Sequence, residues 1–419
     1  VNAIRDAFLV VDGPDCVYIK TQYIQGNQDY LSTLTNVIGA HRVVNTALEP
    51  VAAALSREAQ IIETLRKVGD NEEVGCVMVT SMPMASVLGT DYARLGREAS
   101  DVLNKDVLHV PGKSLSKDWV GGYEESLLAL AKGMSLDGGA PKTNNVALVG
   151  MLHDRNEEDA AGNVREIRRL LRALGLDLVS VWLDGSAYAD YRAVKDAGTI
   201  LSLPYGRRAA RHLSKRLGAE LIELDLPFGL QATERFVRQV ADHFGRVEAG
   251  QALMDRELRN IVPKLEWVIP FALQGKSFGY MGSAALLPGF AEIAALWGAE
   301  VRFAVVTNFA SHKGVLDGLD HINPVLIEPR VNSLIAFGKE HVERGCIDCL
   351  VTDSTCIEMA DARRHAVVGF GFPSYNVHAL HDNPYLGFRG FLAFVDRVAN
   401  AIRLFEALKV SGLRVGPTG

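Results

Sequence analysis

Short apolar runs that alternate with longer amphipathic stretches are the feature that most constrains this 419-residue chain. The runs Phe8–Val11, Val74–Thr80 and Asn145–Gly150 each read as a buried strand and lead into helical sequence. Parallel strands need long crossover connections, which are usually helices. The alternation therefore predicts an α/β protein built from doubly wound parallel sheets.

The chain divides into three blocks of this kind. We predict an N-terminal α/β domain over residues 1–139, a middle Rossmann-like domain over 140–264 and a C-terminal Rossmann-like domain over 265–419. The Gly-rich segment 137–145 reads as the first linker. We expect the three domains to surround a central cleft.

Further strands and helices follow from the same patterns. The additional strands are predicted at Thr199–Leu203, Glu220–Leu224, Ser277–Met281, Val301–Thr307, Cys349–Thr352 and Val367–Phe372. The helices are predicted at Pro50–Val68, Val164–Leu174, Arg207–Leu217, Thr233–Phe244, Pro288–Leu296, Leu334–Val342 and Phe391–Leu408, with another after Asp91. Thr233 is expected to cap its helix at the N-terminus. Gly175 is expected to end the helix Val164–Leu174.

Composition narrows the class of protein. Hydrophobic residues make up 48%, charged residues 22%, and the net charge is −6, which disfavours nucleic acid and anionic membranes as partners. No apolar run is long enough to span a bilayer. Five cysteines do not make a disulfide scaffold, and no signal-peptide pattern is visible, so we expect a reducing cytoplasm.

Common catalytic and nucleotide-binding motifs do not occur in the sequence. It holds no Walker-type phosphate loop, and no G-x-G-x-x-G follows a strand. It also has no H-E-x-x-H and no G-x-S-x-G elbow, because the one segment with that spacing, Gly275–Gly279, falls where the predicted strand Ser277–Met281 begins and not between a strand and a helix. A nucleotide-hydrolysing or dinucleotide-binding role is therefore weakly supported, and the sequence argues against a zinc peptidase and an α/β-hydrolase.

Cys16 is the strongest candidate for a functional residue. It follows the strand Phe8–Val11 directly after a Gly13-Pro14 turn, at the sheet edge where open α/β sheets bind ligands. A thiolate there suits an iron–sulfur cluster or zinc. The alternative is a small buried core thiol.

The other cysteines give weaker signals. Cys346, Cys349 and Cys356 form a C-x2-C-x6-C spacing, but Cys349 falls inside an apolar strand, so core thiols are the simpler interpretation. Cys356 lies just beyond the carboxyl end of that strand and is a candidate to line a site. Cys76 starts a strand, at the opposite sheet edge from Cys16, and is interpreted as a core thiol.

Two histidines, His378 and His381, fall in a polar loop between the last strand and the last helix. An imidazole titrates near neutral pH, so the pair could donate protons or bind a ligand in a cavity. The alternative is two surface histidines.

Four segments, in order along the chain, together resemble the nitrogenase component 1 superfamily. They are Asp12–Cys16, similar to a G-P-x-G-C turn that carries a cluster-ligating cysteine; Val79–Asp91, similar to a strand-loop segment; Leu226–Thr233, similar to P-x-G-L-x-x-T; and Gly371–Gly390, similar to the C-terminal G-F-P…G-Y-x-G signature. The superfamily includes the nitrogenase molybdenum–iron protein subunits, a cofactor-assembly scaffold pair, and the dark-operative protochlorophyllide and chlorophyllide reductases.

The departures from the family pattern indicate which type of subunit the chain resembles. Members with a complete cluster set carry a cysteine near the position of Met82 or Pro83, and α-type subunits hold a cofactor cysteine where this chain has Ser202. The chain thus resembles a β-type subunit with a single well-placed thiolate. A four-iron cluster usually needs four ligands, so a shared interface site is the consistent arrangement.

The resemblance implies a nitrogenase-like, iron–sulfur-dependent reductase. Its β-type subunit would share a [4Fe–4S] or larger cluster, ligated by Cys16, with an α-type partner in a heterodimer or α2β2 heterotetramer. A separate ATP-hydrolysing iron protein would deliver electrons. The alternatives are a non-catalytic cofactor-assembly scaffold and a cluster-free structural partner.

Strand ends would supply the substrate contacts. Catalysis is assigned to His378, His381 and Cys356, and cofactor binding to Ser202 and Ser354, with Thr307–Asn308 as further contacts.

Overall fold

The computed structural model describes residues 1–35, 41–48, 57–112, 116–308, 314, 316–345 and 347–410. Its strands form three sheets, and every pairing in them is parallel. This confirms the predicted α/β class with three parallel sheets. Within the described ranges, no helix is both long enough and apolar enough to cross a membrane.

The first sheet has the strand order β2-β1-β3-β4. Its strands are β1 (Ala7–Asp12), β2 (Val43–Asn45), β3 (Cys76–Ser81) and β4 (Val107–His109). The helices of this part are α1 (Cys16–Tyr23), α2 (Glu58–Gly69), α3 (Pro83–Ser86), α4 (Tyr92–Leu103) and α5 (Trp119–Gly133).

The second sheet has the order β6-β5-β7-β8. Its strands are β5 (Lys142–Val149), β6 (Asp177–Val181), β7 (Ala197–Ser202) and β8 (Glu220–Glu223). The helices here are α6 (Glu158–Ala173) and α7 (Arg207–Leu217), and a 3-10 segment at Tyr188–Asp196 leads into β7.

The third sheet has the order β11-β10-β9-β12-β13. Its strands are β9 (Ser277–Gly282), β10 (Glu300–Val306), β11 (Val325–Ile327), β12 (Cys349–Thr352) and β13 (Ala366–Gly369). The helices are α8 (Leu230–His243), α9 (Val247–Leu265), α10 (Leu287–Leu296), α11 (Val331–Phe337) and α12 (Gly387–Val410).

The strands of each sheet fall inside one of the three predicted blocks. By their mutual contacts, the residues form two compact units: Val1–Val164 with Gly175–Leu224, and Arg165–Leu174 with Asp225–Gly419. The first unit therefore contains two of the sheets. The predicted boundaries at 139/140 and 264/265 stay predictions.

Sequence patterns explain why these elements form. All six residues of β9 are buried, as expected for a central parallel strand that is covered on both faces. Helix α4 starts where Asp91 caps it, since the Asp91 side chain accepts a hydrogen bond from the Arg94 N–H. Gly175, at φ 71°, follows the end of α6 as predicted.

Two local predictions are wrong. The segment 137–145 is not all linker, because β5 begins at Lys142, which pairs with Ala197. Thr233 does not cap α8: the helix begins at Leu230, after Gly229 at φ 96°, and the Thr233 hydroxyl donates to the Gly229 carbonyl at 2.6 Å from inside the helix. Residues 50–56 of the predicted helix Pro50–Val68 lie outside the described residues.

A cluster of aromatic rings around α12 forms much of the core of the second unit. The Phe394 ring lies 4.8 Å from the Phe370 ring and 5.3 Å from the Phe228 ring, measured between centroids. It also stacks on Trp297 at 6.3 Å. This packing holds the closing helix against the sheet.

We predict that Phe394→Ala destabilises the protein by roughly 3–5 kcal/mol, because Phe394 is only 2% exposed and its removal leaves a cavity. Urea unfolding measures the change. Leu404→Ala on the same helix is the control, since Leu404 is 63% exposed and its loss is expected to change stability by less than about 0.5 kcal/mol. Equal effects of the two variants would contradict the aromatic core.

Candidate functional site

Cys16 lies at the carboxyl edge of the first sheet, where the sequence places it. Strand β1 ends at Asp12, a tight turn follows, and Cys16 is the first residue of α1. The turn is closed by hydrogen bonds from the Val17 N–H to the Pro14 carbonyl and from the Tyr18 N–H to the Asp15 carbonyl. The Cys16 side chain is partly exposed and forms no disulfide.

This edge contains the topological switch point of the sheet. Strand β1 has β2 on one side and β3 on the other, so the connections after β1 and β3 leave a crevice between them. The two strand ends are joined where the Met82 N–H donates to the Asp12 carbonyl at 2.9 Å. Gly13 lets the two chains approach there, since a Cβ at this position would lie 2.8 Å from Cγ of Met82 and would displace the Met82 side chain.

The buried carboxylate of Asp12 fixes the turn that carries Cys16. It is 1% exposed and accepts hydrogen bonds from the Tyr92 hydroxyl at 2.6 Å and the Thr46 hydroxyl at 2.5 Å. Arg57 is its ion-pair partner, with Nη1 at 3.3 Å from Oδ1. The Thr46 hydroxyl also accepts the Gly13 N–H at 3.2 Å, so the network reaches the turn directly.

Two further groups extend this network. The imidazole of His109, at the end of β4, stacks on the Tyr92 ring at 5.6 Å, and burial lowers the pKa of His109 below its usual value. Burial and the neighbouring Asp12 carboxylate raise the pKa of the Tyr92 hydroxyl, so Tyr92 remains a hydrogen-bond donor to Asp12.

A cavity of about 910 Å³ opens beside the Cys16 turn, within the first unit. The first helix, which starts at Cys16, forms one wall of this cavity. The lining is mainly apolar; its side chains include Leu9, Val11, Val17, Leu34, Val43, Met78, Met82, Val110 and Trp119. Its charged groups include Lys20, Asp118 and the ion pair of Lys117 with Glu125, whose atoms are 3.2 Å apart.

Large apolar side chains near Cys16 are exposed. On α1 and just after it, Ile19 is 70% exposed and Tyr23 50%, and Leu31 beyond them is 53% exposed. Near α3, Val87 is 82% exposed. Ile19 and Tyr23 lie on the helix that starts at Cys16, and exposed apolar groups that share one surface are typical of a surface that another protein covers.

Ser202, the residue assigned to cofactor binding in the middle block, ends β7 at the switch point of the second sheet. It is 0% exposed, and its hydroxyl has no hydrogen-bond partner. The backbones of Gly150 and Gly206 approach so closely at this edge that a Cβ on Gly150 would lie 2.4 Å from the Gly206 nitrogen. In this conformation Ser202 has no access to solvent, and its binding role stays a prediction.

The strand ends of the third sheet bring several of the other predicted residues together. The Thr307 hydroxyl donates to the buried carboxylate of Asp353 at 3.2 Å. Ser354 is tied to the following loop, because its hydroxyl accepts the Tyr375 N–H at 3.0 Å and its carbonyl accepts the Tyr375 hydroxyl at 2.9 Å. Asn308, next to Thr307, is 0% exposed, and its side-chain carbonyl accepts the Ala284 N–H.

The proposed catalytic residues fall into two environments. His378 and His381 are exposed in the loop that contacts Ser354. Cys356 is 0% exposed in an apolar cluster, and burial raises the pKa of its thiol to about 12, so it stays protonated and has no solvent access. The structure links Ser354 to the histidine loop; the catalytic roles of His378, His381 and Cys356 stay predictions.

The metal-ligating side chains near Cys16 can be compared with those needed by the iron–sulfur cluster that the family resemblance implies. No group of three or more His, Cys, Asp or Glu side chains able to hold a metal occurs in the part of the chain that the structure describes. Met82, where a second cysteine would be expected, offers only a thioether. One partly exposed thiol on a fixed turn fits a cluster completed by another chain and does not fit a cluster held by one chain.

Sequence reasoning predicted the place of Cys16 at the sheet edge but not the residues that hold its turn. Asp12 precedes the turn directly and could have been noticed, since a charged residue at the end of an apolar strand needs a partner. Arg57 and Tyr92 are distant in the sequence from Asp12, and no local pattern connects them to it.

The fold is shared with solved nitrogenase structures. A structure of nitrogenase Cp1 at pH 6.5 aligns with 97% of this chain and 90% of its own, with a TM-score of 0.78 at 17% identity. A second structure of nitrogenase Cp1, at pH 5, aligns with 97% of this chain and 86% of its own at a TM-score of 0.71. These likenesses establish a three-sheet architecture of the nitrogenase type.

The sequence identifies the family. Residues 1–403 match the family described as Nitrogenase component 1 type Oxidoreductase, and the chain belongs to it. The chain is 19% identical to the nitrogenase molybdenum-iron protein beta chain of Methanothermobacter thermautotrophicus over an alignment of 392 residues. This alignment covers 85% of this chain and 83% of that protein. This confirms the family predicted from the four sequence segments.

Two other relatives are a different subunit and a biosynthesis protein. The chain is 22% identical to the nitrogenase molybdenum-iron protein alpha chain of Methanothermobacter marburgensis, over 78% of this chain and 67% of that protein. It is 25% identical to the nitrogenase iron-molybdenum cofactor biosynthesis protein NifN of Rippkaea orientalis, over 61% of this chain and 59% of that protein.

We predict that Cys16 reacts with iodoacetamide in the folded protein, whereas Cys76, Cys349 and Cys356 do not. The last three are 0% exposed, and burial raises their pKa values, so they stay as unreactive thiols. Peptide mass spectrometry after brief labelling measures each site. Labelling of all four in urea is the control, and rapid labelling of Cys356 without denaturant would contradict the assigned burial.

We also predict that Arg57→Met destabilises the protein by ~3–5 kcal/mol, because it leaves the buried Asp12 carboxylate without its cation. Urea unfolding is the measurement. Arg94→Met is the matched control: Arg94 pairs with Glu58 and Glu98 at the surface, so its loss is expected to cost at most about 1 kcal/mol. Similar losses in the two variants would show that Asp12 does not depend on Arg57.

Proposed function

We propose that this chain is the β-type subunit of a nitrogenase-like two-component reductase, and that Cys16 ligates an iron–sulfur cluster shared with an α-type partner. One observation carries the proposal: a partly exposed cysteine stands on a rigid turn, amid exposed apolar side chains. Contacts within the chain hold this thiol in place, and its exposed part is accessible to a second chain.

The number of ligands favours a shared cluster. A [4Fe–4S] cluster usually takes four protein ligands. Cys76 and Cys349 are buried in strands and Cys356 in an apolar cluster, which leaves Cys16 as the accessible thiol among the described cysteines. A second protein must then supply the other ligands, and its docking would cover Ile19, Tyr23 and Val87.

The protein's own residues would prepare the position for the cluster. When bound, the cluster supplies the one-electron chemistry. Asp12, Thr46 and Tyr92 hold the turn in one conformation, so little order has to be gained when Cys16 meets its partner. The apolar lining of the neighbouring cavity would exclude water from this side.

Membership in the family supports the proposed partners. Relatives of this chain include both an alpha chain and a beta chain of the nitrogenase molybdenum-iron protein, which supports an α-type partner in a heterodimer or α2β2 heterotetramer. An ATP-hydrolysing iron protein would deliver electrons. Ser202, Ser354 and Thr307–Asn308 would contact the bound substrate or cofactor, with His378, His381 and Cys356 assigned to catalysis.

The second candidate function is a cofactor-assembly scaffold. The similarity to NifN of Rippkaea orientalis favours it, because that relative is a cofactor biosynthesis protein. A scaffold would use the same Cys16 position to hold a cluster and would then pass the cluster to another protein. A cluster-free structural partner is the third alternative.

The test is anaerobic purification of the chain co-expressed with an α-type subunit. We predict iron in the complex and absorbance near 400 nm, and we expect Cys16→Ser to lose most of both while the subunits still associate. Cys76→Ala is the control, because Cys76 is a buried thiol of the same unit and should leave the iron content unchanged.

Further outcomes separate the alternatives. Substrate reduction with a cognate iron protein and ATP supports the reductase, whereas transfer of the cluster to an acceptor protein without turnover supports the scaffold. Iron content equal in wild type and Cys16→Ser, or no iron in the wild-type complex, would overturn the ligation by Cys16.

A further inference from the structure

A second cavity, of about 380 Å³, lies within the second unit and is lined by three arginines. Its polar lining residues are Arg169 on α6, Arg256, Glu257 and Asn260 on α9, and Arg389 at the start of α12. Its apolar wall is formed by Ile261, Phe388 and Leu392. None of these residues has a role in the proposed cluster site.

Arg169 is already neutralised by two buried glutamates. Its Nε and Nη2 each donate to Glu166 at 2.8 Å, and its Nη1 donates to Glu257 at 2.6 Å. The side chain of Glu166 is 1% exposed and that of Glu257 is 10% exposed. Arg169 is therefore a structural cation that satisfies both carboxylates.

The other two arginines keep most of their hydrogen-bonding capacity. Arg256 comes no closer than 3.6 Å to Glu257, and the Arg389 guanidinium no closer than 3.8 Å to Glu166. Both carboxylates are already engaged by Arg169, and the two guanidinium groups are 60% and 64% exposed. Contacts this long leave a guanidinium free to bind another anion.

Asn260 adds a donor rather than an acceptor. Its side-chain carbonyl accepts a hydrogen bond from Lys264 Nζ at 3.0 Å. The amide nitrogen is thus the part of Asn260 that remains for a ligand.

The start of α12 favours negative charge in the same place. Phe388 and Arg389 are in the first turn of this 24-residue helix, whose N-terminus carries partial positive charge. Glu166 already accepts the Arg389 N–H at 3.2 Å, which shows that this terminus attracts a carboxylate. The cavity has three lining arginines, against the two glutamates Glu257 and Glu166 that pair with Arg169. The net charge around the cavity is therefore positive.

We propose that this cavity binds a small oxyanion, a phosphate or a carboxylate that carries a compact apolar group. Arg256 and Arg389 bind the oxyanion from two sides, Asn260 donates to it, and the wall of Ile261, Phe388 and Leu392 packs against the apolar group. The proposal does not depend on the cluster at Cys16.

The experiment is calorimetric titration of the full chain, in a low-salt buffer, with inorganic phosphate, phenyl phosphate and benzoate. We expect saturable binding of one molecule per chain, and we expect phenyl phosphate to bind more tightly than inorganic phosphate because of the apolar wall. The double variant Arg256→Gln/Arg389→Gln should weaken binding at least about tenfold, as expected for the loss of two charged donors. Added salt should weaken binding as well.

Arg363→Gln is the control, because Arg363 is an 82% exposed arginine of the same unit and pairs with Asp361 away from this cavity. Thermal unfolding of each variant checks that the fold is intact. If phenyl phosphate binds more tightly than benzoate, the site prefers a phosphate, and if benzoate binds more tightly, the site prefers a carboxylate. Either result supports the site. No saturable binding of any probe, or equal weakening in Arg363→Gln, would overturn it.

Discussion

The buried ion pair between Asp12 and Arg57 is the interaction on which the Cys16 region depends. A carboxylate that is 1% exposed is costly unless it is paired and hydrogen-bonded, and Asp12 meets that requirement with Arg57, Tyr92 and Thr46. These partners come from separate parts of the first unit. Their convergence at the end of β1 fixes the direction in which the chain leaves the sheet, and the position of Cys16 follows from that direction.

A topological switch point recurs in all three sheets, and it explains where the candidate residues lie. In each sheet the first strand of its block, β1, β5 or β9, has neighbours on both sides, so a switch point forms at its carboxyl end. The surroundings of these switch points differ. The edge at Cys16 is open beside a large cavity, whereas the edge at Ser202 is closed by glycine backbones that pack against each other. Equivalent positions in a repeated fold are therefore not equivalent sites.

Local sequence patterns predicted the central elements well. Helix α7 has the predicted bounds Arg207–Leu217, since its apolar periodicity is strong and Gly218 ends it. Strands such as β2 and β11 were missed because each has three residues and owes its conformation to pairing with a longer neighbour. The place of Cys16 at the sheet edge was predicted from its turn, and its role stays a prediction. The partners of Asp12 could not be found, since contacts between residues 45 and 80 positions apart leave no local pattern.

A lone accessible thiol has a consequence for how such a protein would be made. Under the proposed function, a newly synthesised copy has too few donors to capture iron by itself, because the described residues hold no group of three metal ligands. The cluster would then bind only after the two subunits associate. A copy without its partner would hold no cluster, rather than an incompletely ligated one that is sensitive to oxygen. The ratio of the two polypeptides in the loaded complex would then follow from the number of cluster ligands that each of them supplies.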